Sequence, residues 1–181
     1  MIWLFCAAAW SVAEASFFFL VPDIILTAAL VRRGPRVALL LSVAAAICAA
    51  LTGMAMYWWG AQDIAAARSA MLKVPAVGTD LLARAHRAFD GAWSLHLALG
   101  VIGGVPYKLY AVEAGAPHVP LWLFLPVSFT ARLARFCVTV GLAALGRALL
   151  MRLGKAQWMM AVWALAWTLV YLVYFTLRAA H

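Results

Sequence analysis

Residues 37–60 read VALLLSVAAAICAALTGMAMYWWG, a stretch without a single charged side chain. A helix needs about 20 consecutive apolar residues to cross the hydrocarbon core of a bilayer, and this run meets that. Its small residues, among them Ala45, Ala46, Ala49, Ala50 and Gly53, let neighbouring helices approach closely. A second run, Ala156 to Leu177, carries Trp158, Trp163, Trp167, Tyr171 and Tyr174 and reads as a lipid-facing span with interfacial anchors at its ends.

The rest of the composition agrees. Of 181 residues 68% are hydrophobic and 11% charged, and the mean hydropathy is +0.99. Soluble domains are roughly half apolar and about a quarter charged. A soluble core of this length could not hide so much apolar surface, so lipid is the solvent for much of the chain. The length suits one membrane domain over residues 1–181, without a separate catalytic module.

The net charge of +8 does not point to nucleic acid, because its distribution is wrong for that. The bases cluster in short loops, Arg32, Arg33 and Arg36, then Arg147, Arg152 and Lys155, as cytoplasmic loops do under the positive-inside rule. Such loops also attract anionic headgroups. Cys6, Cys48 and Cys137 are scattered through apolar runs and read as small buried hydrophobes. The N-terminus lacks a basic n-region and carries Glu14 early, so a cleavable signal peptide is not expected.

Other apolar stretches are short or interrupted. Residues 2–20 lead into Val21-Pro22-Asp23, and a short run, Ile24 to Val31, follows. Residues 92–104 lead into Gly103-Gly104-Val105-Pro106, and another short run ends near Pro117. Half-length arms around Pro22, and around Gly104 and Pro106, describe re-entrant hairpins, the alternative being a kinked span. A long run from Val119 to Gly146 holds Arg132 and Arg135 in its middle. Between Gln62 and Asp90, mixed charges point to interfacial amphipathic helices joined near Pro75 to Gly78.

The expected fold is therefore an all-α integral membrane protein. Two inverted re-entrant helical hairpins are each followed by a transmembrane helix, with an interfacial amphipathic segment and a C-terminal transmembrane helix added. The halves echo each other: the first break carries an acid, Asp23 after Pro22, and the second a base, Lys108 after Pro106.

An ionisable residue at the bilayer centre costs roughly 2.5 to 3.5 kcal/mol on insertion scales, so it is expected to be paired, hydrated or protonated, and by default functional. Glu14 and Asp23 lie nine residues apart across the first break and can face one cavity. The structural alternative is that Asp23 caps a helix and Glu14 is a buried neutral acid. Arg132 and Arg135 are three apart and share a helix face. They can hold a lipid phosphate bidentately or pair with Glu14 and Asp23, and the two roles are compatible if substrate competes for them. Lys108 is a weaker candidate that can snorkel to the interface, with Glu113 available to neutralise it.

Gly100 and Gly104 form a GxxxG spacing of the kind used in close helix packing. His86, His96, His118 and His181 show no metal-ligand spacing, and no nucleophile triad, phosphate loop or HExxH motif occurs. No enzyme activity, cofactor or metal is expected.

The stretch Ala13-Glu14-Ala15-Ser16-Phe17-Phe18, then Val21-Pro22-Asp23 and Arg33-Gly34-Pro35-Arg36, resembles the first half of the DedA family of VTT-domain, or SNARE-associated, membrane proteins. Gly103-Gly104-Val105-Pro106-Tyr107-Lys108, Ala114-Gly115 and Ala131-Arg132-Leu133-Ala134-Arg135-Phe136 resemble the second half in the family's short bacterial branch. The resemblance covers roughly residues 10–150, leaving 156–178 as an added span. It implies two oppositely oriented re-entrant hairpins and translocation of undecaprenyl phosphate or phospholipid across a bacterial inner membrane. It also implies that Glu14 and Asp23 are the embedded acids, Arg132 and Arg135 the essential bases, and protons a coupling partner. Val21-Pro22 replaces the usual proline pair, and Lys108 stands near where some branches carry an arginine; these departures bear on substrate more than on fold.

The expectation is a lipid flippase or scramblase whose partner is the phosphate headgroup of a membrane lipid, with an oligomer compatible with that reading. The rivals are an ion or small-solute transporter, a lipid-phosphate enzyme, and a non-transporting factor in membrane biogenesis.

Overall fold

A computed structural model describes residues 1–75 and 77–179, with the side chains of 101–103 and 177–179 left aside. The described residues form nine α-helices and no strand. They are α1 (Ile2–Ser16), α2 (Asp23–Arg33), α3 (Pro35–Gln62), α4 (Ile64–Met71), α5 (Thr79–Ala88), α6 (Trp93–Gly103), α7 (Tyr107–Gly115), α8 (Leu121–Arg152) and α9 (Met159–Ala179), the last entered through a 3₁₀ turn at Ala156–Trp158. Three segments are long and apolar enough to cross a membrane: Pro35–Gln62, Leu121–Arg152 and Ala156–Thr176. The long run around Arg132 and Arg135 is one continuous helix. Leu40, Ile47 and Leu51 on α3, and Val138, Leu142 and Leu145 on α8, stay exposed. Such a contiguous apolar exterior is what lipid covers.

Local chemistry sets the boundaries. Asp23 opens α2 and Arg32 and Arg33 close it, each complementing the helix dipole at its own end. Gly34, at φ +89°, turns the chain, and Pro35 starts α3 at the position where its missing N–H costs nothing. Asp63 caps α4 by accepting from the Ala66 N–H at 2.9 Å. Gly104 is left-handed at φ +70°, ends α6, and has open space where a side chain would stand. It is a turn glycine, so the GxxxG spacing does not describe a packing pair.

The interrupted segments fold back on themselves. Tyr110 packs so tightly on Gly100 that a Cβ there would lie 2.6 Å from Cε2 of the ring. Ten residues in a continuous helix would separate these positions by about 15 Å. In the first segment Ala7 shares a buried cluster with Leu26, Ala29 and Leu30, beyond the 17–22 break. A kinked single helix does not fit the contact of Tyr110 with Gly100.

Two apolar clusters hold the helices together. One joins Ala7, Leu26, Leu30, Leu41, Phe136 and Val140. The other joins Tyr57, Met71, Leu81, Leu109, Val112 and Phe124. Residues 38–46 of α3 thus meet 136–140 of α8, while Tyr57 meets Phe124, so the two helices run antiparallel. Both basic loops therefore lie at one end of the molecule, and α4 and α5 pack at the other. A close approach between α3 and α7 has no sequence spacing to announce it. A Cβ on Gly60 would come within 2.0 Å of the Val112 carbonyl oxygen, and one on Gly115 within 2.2 Å of the Tyr57 carbonyl oxygen.

Candidate functional site

The break between α1 and α2 is held by side chains from distant elements. Trp10 Nε1 donates to the Leu20 carbonyl at 3.0 Å. The Val21 N–H donates to the Tyr171 hydroxyl of α9 at 2.9 Å. One turn into α2, Thr27 Oγ1 donates to the Asp23 carbonyl at 2.7 Å and accepts from Trp163 and Trp167 Nε1 at 2.9 and 3.0 Å. Trp163, Trp167 and Tyr171 are four residues apart, so one face of α9 binds the first fold-back unit while the opposite face is exposed. Three aromatic residues read from the sequence as interfacial anchors therefore make specific hydrogen bonds.

Glu14, in the last turn of α1, and Asp23, the first residue of α2, flank this break and are 6% and 1% exposed. Arg132 and Arg135, three apart on α8, face them. Arg132 grips Glu14 through both terminal nitrogens, Nη1 to Oε1 at 3.2 Å and Nη2 to Oε2. Arg135 Nη2 bonds Asp23 Oδ2. The guanidinium of Arg132 also lies 5.0 Å from the ring centroids of Tyr107 and Phe136, and that of Arg135 5.4 Å from Phe136. Of the two readings of the sequence, the ion pairs are present.

The second break brings the third base. Lys108, in the first turn of α7, is 2% exposed and donates through Nζ to the Phe18 carbonyl of the first break at 2.7 Å. It is buried rather than snorkelling. Beside it the Tyr107 hydroxyl lies against Gly53, where a Cβ would be 1.9 Å away. Glu113 does not neutralise Lys108: five residues apart on one helix, they point to different sides. Glu113, 1% exposed, is taken by Arg68 of α4, with Nε to Oε1 and Nη2 to Oε2 both at 2.7 Å. His86 Nδ1 of α5 completes the group at 2.9 Å from Oε2. The hydrogen bonds to Glu113 raise the pKa of Arg68, and the three side chains pin α4 and α5 to α7.

A cavity of about 230 Å³ lies between the two breaks, α8 and α9. Glu14, Lys108, Arg132 and Arg135 line it, and Phe18, Tyr107, Trp167, Val170 and Tyr174 supply its apolar and aromatic walls. Asp23 sits behind Arg135. Three cations against two carboxylates leave one positive charge without an acidic partner within 4 Å, that of Lys108. Asp23 Oδ1 and Arg132 Nε, both buried, have no hydrogen-bond partner among the described residues. Such a chamber can hold an anion by charge-assisted hydrogen bonds. Pro22, Gly104 and Pro106 lie at the breaks that shape it. Among the described residues no three His, Cys, Asp or Glu side chains gather as they would for a metal ion; His181 lies outside them.

Comparison of the chain with protein-family models, with curated proteins and with solved structures finds no match.

Proposed function

We propose that this chain is a membrane lipid transporter of the flippase or scramblase type, moving a phosphate-bearing lipid such as undecaprenyl phosphate or a phospholipid between leaflets. The observation that carries this reading is the charge balance of the inner cavity. Three bases, Lys108 and Arg132 buried and Arg135 partly so, share the site with only two acids, so a phosphate group would complete it. The apolar and aromatic walls favour a lipid over a small hydrated ion, because acyl or prenyl chains can leave along α9 into the bilayer while the headgroup alone is sheltered.

Both fold-back units would then be re-entrant, their broken backbone turned toward a polar cavity rather than lipid. The motif order around Glu14, Asp23, Gly104, Pro106, Lys108, Arg132 and Arg135 supports membership of the DedA family. With that family comes placement in a bacterial inner membrane and proton coupling through Glu14 and Asp23. When the site is empty the acids hold the arginines; when a phosphate enters, it competes for them.

Reconstituted liposomes carrying a fluorescent phosphate lipid test the reading. Lys108→Gln is expected to slow flipping about tenfold, the effect of losing one charge-assisted contact, with little loss of folded protein. Wild-type flipping in that variant would remove Lys108 from the site, and a wild-type chain that moves no lipid would refute the function.

A further inference from the structure

A second cavity, of about 470 Å³, lies outside the inner one, at the end of the molecule remote from the basic loops. Arg84, Arg87 and His96 line it together with Leu99, Val105 and Tyr110. The amphipathic pattern of α5 creates it. Leu81, Ala85 and Ala88 are buried, which turns Arg84 and Arg87, three residues apart, outward on a shared side.

Glu113, the carboxylate of α7, is occupied by Arg68 and His86 and is not turned to these arginines. Asp90, beyond the helix, makes no ion pair within 4 Å among the described residues. Two exposed arginines also sit at the end opposite the basic loops, where the positive-inside rule does not call for them.

Gly100, Val105 and Tyr110 line both cavities. The two cavities are therefore neighbours, with the Tyr110 ring packed on Gly100 between α6 and α7 as part of the wall of each. We propose that the outer cavity is a phosphate-binding vestibule, in which Arg84 and Arg87 take an anionic phosphate group at the membrane interface beside the inner site. Its onward passage rests on the transport reading above; the binding itself does not.

The test is equilibrium binding to the full chain in neutral detergent, with phosphatidylglycerol and inorganic phosphate as separate probes and phosphatidylcholine as the lipid without net charge. R84Q/R87Q is expected to weaken phosphatidylglycerol binding about tenfold, as the loss of a charge-assisted contact does, and R84K/R87K to recover part of it. R32Q/R33Q, which removes the same charge from a loop that itself attracts anionic headgroups, should weaken phosphatidylglycerol binding less than R84Q/R87Q does. Displacement of the lipid by inorganic phosphate would show that the phosphate group alone is recognised; resistance to displacement would assign the site to a lipid headgroup. Either supports the vestibule. A wild-type chain that binds neither probe, an R84Q/R87Q variant that binds like wild type, or an equal loss in R32Q/R33Q overturns it. Absence of flipping by the wild type would refute transport and leave this result standing.

Discussion

Glu14 with Arg132 and Glu113 with Arg68 are both bidentate carboxylate–guanidinium pairs with the acid almost wholly buried. Their settings differ. The Glu113 pair is joined by His86 and ties α4, α5 and α7 together at one end of the molecule. The Glu14 pair borders a cavity, has a third base beside it in Lys108, and leaves Arg132 Nε without a partner. The same chemistry thus acts as a fastening in one setting, where no buried atom of the group lacks a partner among the described residues, and in the other borders a cavity with hydrogen-bonding capacity left over. An ion pair alone says little about function; its surplus says more.

Removing one partner from each pair is the strongest way to break this contrast. Arg132→Gln leaves Glu14 uncompensated in a buried position and should cost about 3–5 kcal/mol, read from unfolding in detergent or lipid, with flipping lost as well. Glu113→Gln should cost less, about 1.5–3 kcal/mol and near the lower end, because Arg68 is one-third exposed and can reach water. Flipping per folded molecule should then stay near wild type. If Glu113→Gln stopped transport in well-folded protein, the fastening would itself be part of the mechanism.

A smaller effect concerns α9, which binds the first break through Tyr171. Tyr171→Phe removes the acceptor of the Val21 N–H and should cost about 0.5–1.5 kcal/mol, with flipping changed no more than a few-fold. A large loss of transport would instead make α9 an active wall of the cavity. Gly115→Ala sharpens a different point, since its Cβ would run into the backbone of α3. It is expected to lower the yield of folded protein while leaving the per-molecule behaviour of what folds unaltered.

Much of this was legible in the chain. Uncharged length marked residues 37–60, and proline and glycine marked the breaks at 22 and 104–106, because both signals are local and strong. The opposite signs of Asp23 and Glu14 against Arg132, Arg135 and Lys108 anticipated the convergence of these groups. Contacts between elements far apart in sequence were not legible. Glu113 reads as a neighbour of Lys108 until helix geometry turns the two apart. Gly60 and Gly115 form a tight crossing with no shared spacing. Trp163, Trp167 and Tyr171 look like interfacial anchors because an indole or phenol gives no sequence sign of where it donates or accepts. Arg84 and Arg87 gain meaning only from the cavity that α6 and α7 close beside them.

The central claim, that the inner pair is a site and the outer pair a fastening, is tested most directly by two charge-neutral double variants in the same liposome assay. Glu14→Gln with Arg132→Gln, and Glu113→Gln with Arg68→Gln, each remove both members of a pair and so leave no uncompensated charge behind. The first is expected to fold and flip phosphate lipid at less than about a tenth of the wild-type rate, and the second to fold and flip near the wild-type rate. Equal flipping by the two folded variants would contradict the claim.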